Sequence, residues 1–347
     1  MVNARAVVER GLERRAFPSA VVETGNHDRA TWRDAFGKLT YEADAPATTH
    51  DTIYDLASLT KVMATTTAAM QAIEASAIAL DDRVATYLPE WRGADRESVT
   101  IADLLEHASG LTAYLPFFRD HQGRAEFQRA ICTLPLEYAP RTQSIYSDLG
   151  FILLAFILGD RGFAIDRIFR LKAEATHPLN TDACSFRLQP EDRRRCAPTE
   201  LDLWRGRLLQ GEVHDENCWA LGGVAGHAGM FGTAEGVGAF AREVLKGLRG
   251  EQTFARPETF ARFAQKSSVP GSSRALGWDT MLPTSSCGTR LSPRAIGHTG
   301  FTGTSLWIDP ELDLYVVFLT NRVHPSRDNN RIQPVRRLLH DVIVDSL

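Results

Sequence analysis

Lysine, paired cysteine and long apolar runs are what this 347-residue sequence has little of. Only five of its 39 basic residues are lysines, Lys38, Lys61, Lys172, Lys246 and Lys266, so there is no lysine stripe for nucleic acid or an acidic membrane. A lysine in an unusual setting is therefore informative. The five cysteines, Cys132, Cys184, Cys196, Cys218 and Cys287, are odd in number, widely spaced and without a C-x-x-C pair. That argues against a disulfide framework or a zinc site and leaves buried thiols as the expectation. The longest apolar run, Leu149–Leu158, falls short of the roughly 18–20 residues that cross a bilayer and reads as a buried core helix. The opening residues, from Met1 to Arg10, lack the apolar stretch of a secretion signal and read as an amphipathic helix, so a cytoplasmic chain is expected.

An apolar fraction of 44%, a charged fraction of 24% and a formal charge of −4 describe an ordinary globular chain. Small-molecule or peptide chemistry suits it better than nucleic acid. Its length allows one large core or two moderate domains, either able to hold a cleft.

Along the chain, Ser19–Thr24 and Arg29–Gly37 read as two strands around the polar turn at Gly25–Asp28. Leu59–Ser76 reads as one long helix. From about residue 80 to 220 the pattern is helix and loop, including Ile101–His107, Ala125–Thr133, Asp148–Leu158 and Ile165–Ala175. Beyond Gly236 a helix to about Leu248 precedes strand-like runs at Ala275–Met281, Ala295–His298, Thr304–Ile308 and Leu314–Thr320, and then an amphipathic helix, Ile332–Val344. The economical architecture is α+β: an antiparallel sheet built from both termini and flanked by helices, with an all-helical domain inserted. Residues 1–80 and 225–347 would form the sheet domain and 81–224 the helical one, with the cleft between them.

Ser58-Leu59-Thr60-Lys61 sets a hydroxyl and an amine three positions apart, which on a helix brings them to one face about 5–6 Å apart at Cβ. A serine in the first turn also meets free N–H groups and the positive end of the helix dipole, which favour a developing oxyanion. Lys61 lies among apolar neighbours, where burial would lower its pKa and let it act as a base. Tyr146-Ser147-Asp148 precedes the apolar helix: Tyr146 is placed to relay a proton, and Asp148 to cap the helix. His298-Thr299-Gly300-Phe301 joins two strand-like runs, where glycine lets the backbone approach a ligand closely.

The order S-x-x-K, Y-x-[N/D], [K/H]-T-G is far more specific than any one part. With these motifs, and with Ile53–Lys61 and Leu104–Leu111, the chain resembles the penicillin-recognising serine hydrolases. It is most similar to the class C β-lactamase-like branch, with its low-molecular-mass penicillin-binding proteins and esterases. The resemblance implies the β-lactamase/D,D-peptidase-like fold and a serine hydrolase working through an acyl-enzyme on an ester or amide. The substrate would be a small ester, a D,D-peptide or muropeptide, or a β-lactam. It makes Ser58 the nucleophile, Lys61 its proton partner and Tyr146 the group that passes the proton to the leaving group. Thr299 would line the substrate, with the backbone N–H groups of Ser58 and Phe301 as the oxyanion hole. His227, in the glycine-rich loop Gly222–Phe231, would border the cleft. A metal role with His214 and Asp215 lacks a third ligand at a supporting spacing, so neither metal nor cofactor is expected.

Two positions depart from the family pattern. Asp148 stands where many relatives carry asparagine, and a carboxylate near Lys61 favours the ammonium. That moves the role of base towards Tyr146, with Lys61 charged and holding its phenolate. His298 stands where β-lactamases and many peptidases have lysine, so a cation titrating near pH 6.5 replaces a permanent one. Binding of anionic substrates is then expected to weaken as pH rises. A protein acylated at Ser58 but never released, a sensor, is the alternative from another class. An α/β-hydrolase is disfavoured, because Gly271–Ala275 and Gly303–Trp307 lack the last glycine of G-x-S-x-G.

Overall fold

The computed structural model describes residues 1–167 and 183–347. Six antiparallel strands form its main sheet: β1 (Ser19–Gly25), β2 (Ala30–Gly37), β3 (Asp279–Thr280), β4 (Ile296–Thr299), β5 (Ser305–Asp309) and β6 (Leu314–Thr320). Their spatial order is β2-β1-β6-β5-β4-β3, so the first strand of the chain pairs with the last, Val22 opposite Phe318.

Every residue of β1 and β6 is buried. Because successive side chains leave a strand on opposite faces, each strand serves two cores. Val21, Leu306, Ile308, Val317 and Leu319 face the larger core with α4 (Ala234–Leu248). Ala20, Val22, Trp307, Val316 and Phe318 face a smaller one closed by α1 (Val2–Glu13) and α5 (Ile332–Val344). Continuous apolar strands therefore mark a sheet covered on both sides.

The larger core continues through α2 (Thr67–Glu74) into α3 (Asp148–Asp160), an apolar helix whose Leu149–Leu154, Ile157 and Leu158 are buried. Among the described helices none is long and apolar enough to cross a membrane. All five cysteines are buried free thiols.

Three expectations need correction. Residues 81–224 are not all-helical: Leu201–Asp202 and Arg207–Leu208 form a hairpin, and Cys184–Ser185 joins a small sheet with Tyr54–Asp55 and Phe231–Gly232. Asp202 organises that hairpin by accepting from the N–H groups of Trp204 (2.7 Å) and Arg205 (2.9 Å). The strand expected over Ala275–Met281 shrinks to β3, because Gly277 turns there at φ +84. A Cβ on Gly277 would lie 2.0 Å from Thr66 Oγ1, so only glycine lets this turn approach so closely. The helix expected over Leu59–Ser76 is wound as a π-helix from Lys61 to Thr66 before α2 begins. The expected helix Ile165–Ala175 lies mostly outside the described residues.

Candidate active site

Ser58 follows a strained link. Ala57 sits at φ +47, a left-handed conformation that a residue with a side chain adopts at some cost. Leu59, Thr60 and Lys61 then turn tightly, each N–H donating to the carbonyl three residues back. The turn leads into the π-helix, a form that recurs at functional sites. Lys61 Nζ donates to Ser58 Oγ at 3.1 Å, to Asp148 Oδ1 at 2.7 Å and to the His227 carbonyl at 3.1 Å. An ammonium has three donors, and all three are engaged.

Lys61 is fully buried. Burial, the largest single influence, disfavours its charge, but the Asp148 carboxylate and then Tyr146 outweigh it and hold the lysine above its ordinary pKa. Burial alone would free a neutral amine; Asp148 keeps the ammonium, as its place in the second motif leads us to expect. Asp148 is free for this role because Ser147 caps α3 instead, its Oγ accepting from Gly150 N–H at 3.4 Å.

Tyr146 lies between two cations, Lys61 Nζ at 4.7 Å and the Arg274 guanidinium at 5.1 Å from its ring centroid. Burial nevertheless raises its pKa, Lys61 opposing and Asp148 adding, so the resting residue is a neutral phenol and not the phenolate expected above. The His107 ring packs against it at 4.7 Å, and His107 Nδ1 accepts from Ser147 N–H at 3.0 Å. Buried beside Arg274 and Lys61, His107 is held well below its ordinary pKa and stays neutral.

His298 differs most from expectation. It is 3% exposed, its Nδ1 lies 2.9 Å from the Thr299 carbonyl, and burial, with Lys61 and Arg274 nearby, depresses its pKa strongly. It supplies no cation at neutral pH. Arg274, which belongs to none of the motifs, lines the cleft beside Tyr146, with Asp279 3.9 Å away.

The turn after β4 is tied to the strand before Ser58. Thr302 Oγ1 donates to the Asp55 carbonyl at 2.7 Å and Thr304 Oγ1 to the Leu56 carbonyl at 3.0 Å, while Gly300 N–H donates to Thr304 O at 2.8 Å. Gly300 is needed here, since a Cβ would lie 2.1 Å from Thr304 Oγ1. Among the described residues, the N–H groups of Ser58 and Phe301 donate to no protein acceptor.

A cleft of about 660 Å³ opens over these groups. Ser58, Tyr146, Asp148, His298, Thr299, Gly300 and Phe301 all line it, together with Tyr114, Asp215 and Glu216 and with Arg322, Arg327 and Arg336. His227 contributes only its carbonyl. Its ring turns to Asp215 (2.8 Å); burial, the largest influence, opposes that carboxylate's charge, but His227 and the Cys218 N–H together outweigh it and hold Asp215 well below the carboxylate range. These charged residues come from segments distant in sequence, which is why no motif announced them.

A family profile and a curated relative place this chain in one family. A profile described as Beta-lactamase matches residues 4–340. The chain is 32% identical over 322 residues to a protein of Escherichia coli (strain K12) named "Putative D-alanyl-D-alanine carboxypeptidase", covering 83% of this chain and 73% of that protein. Among solved structures it is similar to "EstCE1, a hydrolase with promiscuous acyltransferase activity" (TM-score 0.74, 22% identity, 97% of each chain). It is also similar to unliganded simvastatin synthase (LovD) from Aspergillus terreus (TM-score 0.75, 19% identity, 99% of this chain and 98% of that one). At these identities the structural likenesses speak to the fold.

Proposed function

Because the chain belongs to the Beta-lactamase family and is a serine hydrolase of that superfamily, we propose that Ser58 is its nucleophile and that Lys61, Asp148 and Tyr146 carry the protons. One observation supports this above the others: the buried Lys61 ammonium touches the Ser58 hydroxyl inside the cleft. Asp148 first takes a proton from the Lys61 ammonium, and the freed amine accepts the Ser58 hydroxyl proton as Oγ attacks the substrate carbonyl. The N–H groups of Ser58 and Phe301 receive the oxyanion. Tyr146, a neutral phenol at rest, gives its proton to the leaving group, and the proton held by the Lys61–Asp148 pair restores it. Water then releases the acyl group by the same path in reverse.

Residues 1–80 and 225–347 supply Ser58 and the Thr299 strand on our reading, and 81–224 supply Tyr146 and Asp148, so that the reaction runs where the two parts meet. The substrates we propose are small esters and D-alanyl-D-alanine peptides, the latter in line with the name of the Escherichia coli relative. A neutral His298 in place of lysine disfavours efficient β-lactam turnover. Hydrolysis of p-nitrophenyl esters, with nitrocefin and a D-alanyl-D-alanine peptide alongside, should fall at least about 10³-fold in Ser58→Ala. Mass spectrometry of the wild type should find the acyl group on Ser58. Activity that survives Ser58→Ala overturns the assignment.

A further inference from the structure

The cleft's ion pairs leave a remainder. Each carboxylate on its lining has a basic side chain as partner: Asp148 meets Lys61 at 2.7 Å, Asp215 meets the His227 ring at 2.8 Å, Glu216 meets Arg327 at 2.7 Å, and Asp279 meets Arg274 at 3.9 Å. Two cations on the same lining, Arg322 and Arg336, form no ion pair among the described residues. They are 6% and 7% exposed.

Arg322 is held by carbonyls. Its Nε donates to Phe301 O at 2.9 Å, and its Nη1 donates to Arg327 O at 2.9 Å and Asn329 O at 2.7 Å. Arg336, in the second turn of α5, has less. Its Nη2 reaches Thr304 O at 3.3 Å, and its buried Nε has no protein partner. Burial, and then the neighbouring Arg322 charge, pushes Arg336 down to about 10, so it remains a cation at neutral pH. A guanidinium in apolar surroundings without a counter-charge is unfavourable, and two side by side more so. An arrangement of that kind is stable in function when an anion completes it. The planar guanidinium fork matches a carboxylate, and the side chains of Asn330 and Gln333, on the same lining, add amide donors.

We infer that Arg336 and Arg322, with Asn330 and Gln333, form an anion subsite on the lining of the cleft that holds a carboxylate of the substrate. This rests on the cleft being the substrate site as proposed above. Neither arginine belongs to the three motifs, and the subsite stands in for the cation that His298 does not provide.

A matched pair of substrates tests it: the p-nitrophenyl monoester of glutaric acid, with a free carboxylate, against the neutral p-nitrophenyl pentanoate. In the wild type the ratio of kcat/KM, anionic over neutral, should exceed that in Arg336→Gln by at least about tenfold. Arg336→Lys should recover part of the difference. Glutarate should also compete with the neutral ester in the wild type, and should bind Ser58→Ala by calorimetry. That measurement requires neither turnover nor a folded Arg336 variant. An unchanged ratio in Arg336→Gln overturns the subsite, and so does the absence of glutarate binding. Hydrolysis that survives Ser58→Ala, with glutarate binding intact, overturns the catalytic reading and leaves the subsite standing.

Discussion

Lys61 meets three oxygen partners with three donors, and one of them, Asp148, determines its charge. Placed alone in the same burial the lysine would favour the neutral amine; beside the carboxylate it favours the ammonium. His298 and His107 show the converse. Burial and neighbouring cations keep both neutral, so neither loses a charge as pH rises from 6 to 8. The KM for an anionic ester should therefore be flat across that range. A rise in KM with an inflection between pH 6 and 7 that disappears in His298→Asn would restore His298 as the binding cation. Ser58, Lys61, Tyr146 and the His298–Phe301 segment were legible because each lies in a short motif. The Lys61 ammonium was legible too, from Asp148 in the second motif; the charge states of Tyr146 and His298 were not, since they depend on Arg274 and depth of burial.

At the scale of elements, the turn of residues 300–303 is fastened to the segment before Ser58 by two threonine hydroxyls, which fixes the Phe301 N–H relative to the nucleophile. Gly300→Ala would set a methyl 2.1 Å from Thr304 Oγ1 and 2.5 Å from the Leu56 carbonyl. Relieving that clash should cost about 1–3 kcal/mol of stability and lower kcat/KM at least about tenfold. Urea unfolding and ester kinetics measure the two effects, and a variant with wild-type kcat/KM would show that the turn tolerates displacement. The strand of residues 314–320 and the helix of residues 332–344 were readable to the residue from apolar continuity and periodicity. The π-winding at Lys61–Thr66 and the turn at Gly277 were not. They fit against each other, Thr66 to Gly277, across more than 200 residues of chain.

At the scale of the whole molecule, three histidines, His107, His298 and His340, are buried neutral; His340 is pushed down to about 4 by burial, with Arg336 nearby. Unfolding raises each towards its ordinary value near 6.5, so below that pH the unfolded chain binds protons that the folded one does not. Stability from this source is complete above about pH 7 and declines as pH falls. Tm at pH 5 should lie roughly 5 °C or more below Tm at pH 7.5, read by calorimetry. An equal Tm would contradict neutral burial of these rings. By itself the sequence determined the local periodicities, the three motifs and their order, because short-range pattern and residue chemistry carry those directly. Only the tertiary structure decided which other charges meet: Glu216 with Arg327, Arg274 beside Tyr146, and Arg322 with Arg336 on the lining of the cleft. Charge state and pairing follow from distance and burial in space, and a sheet that joins the two ends of the chain brings together residues that no local pattern relates.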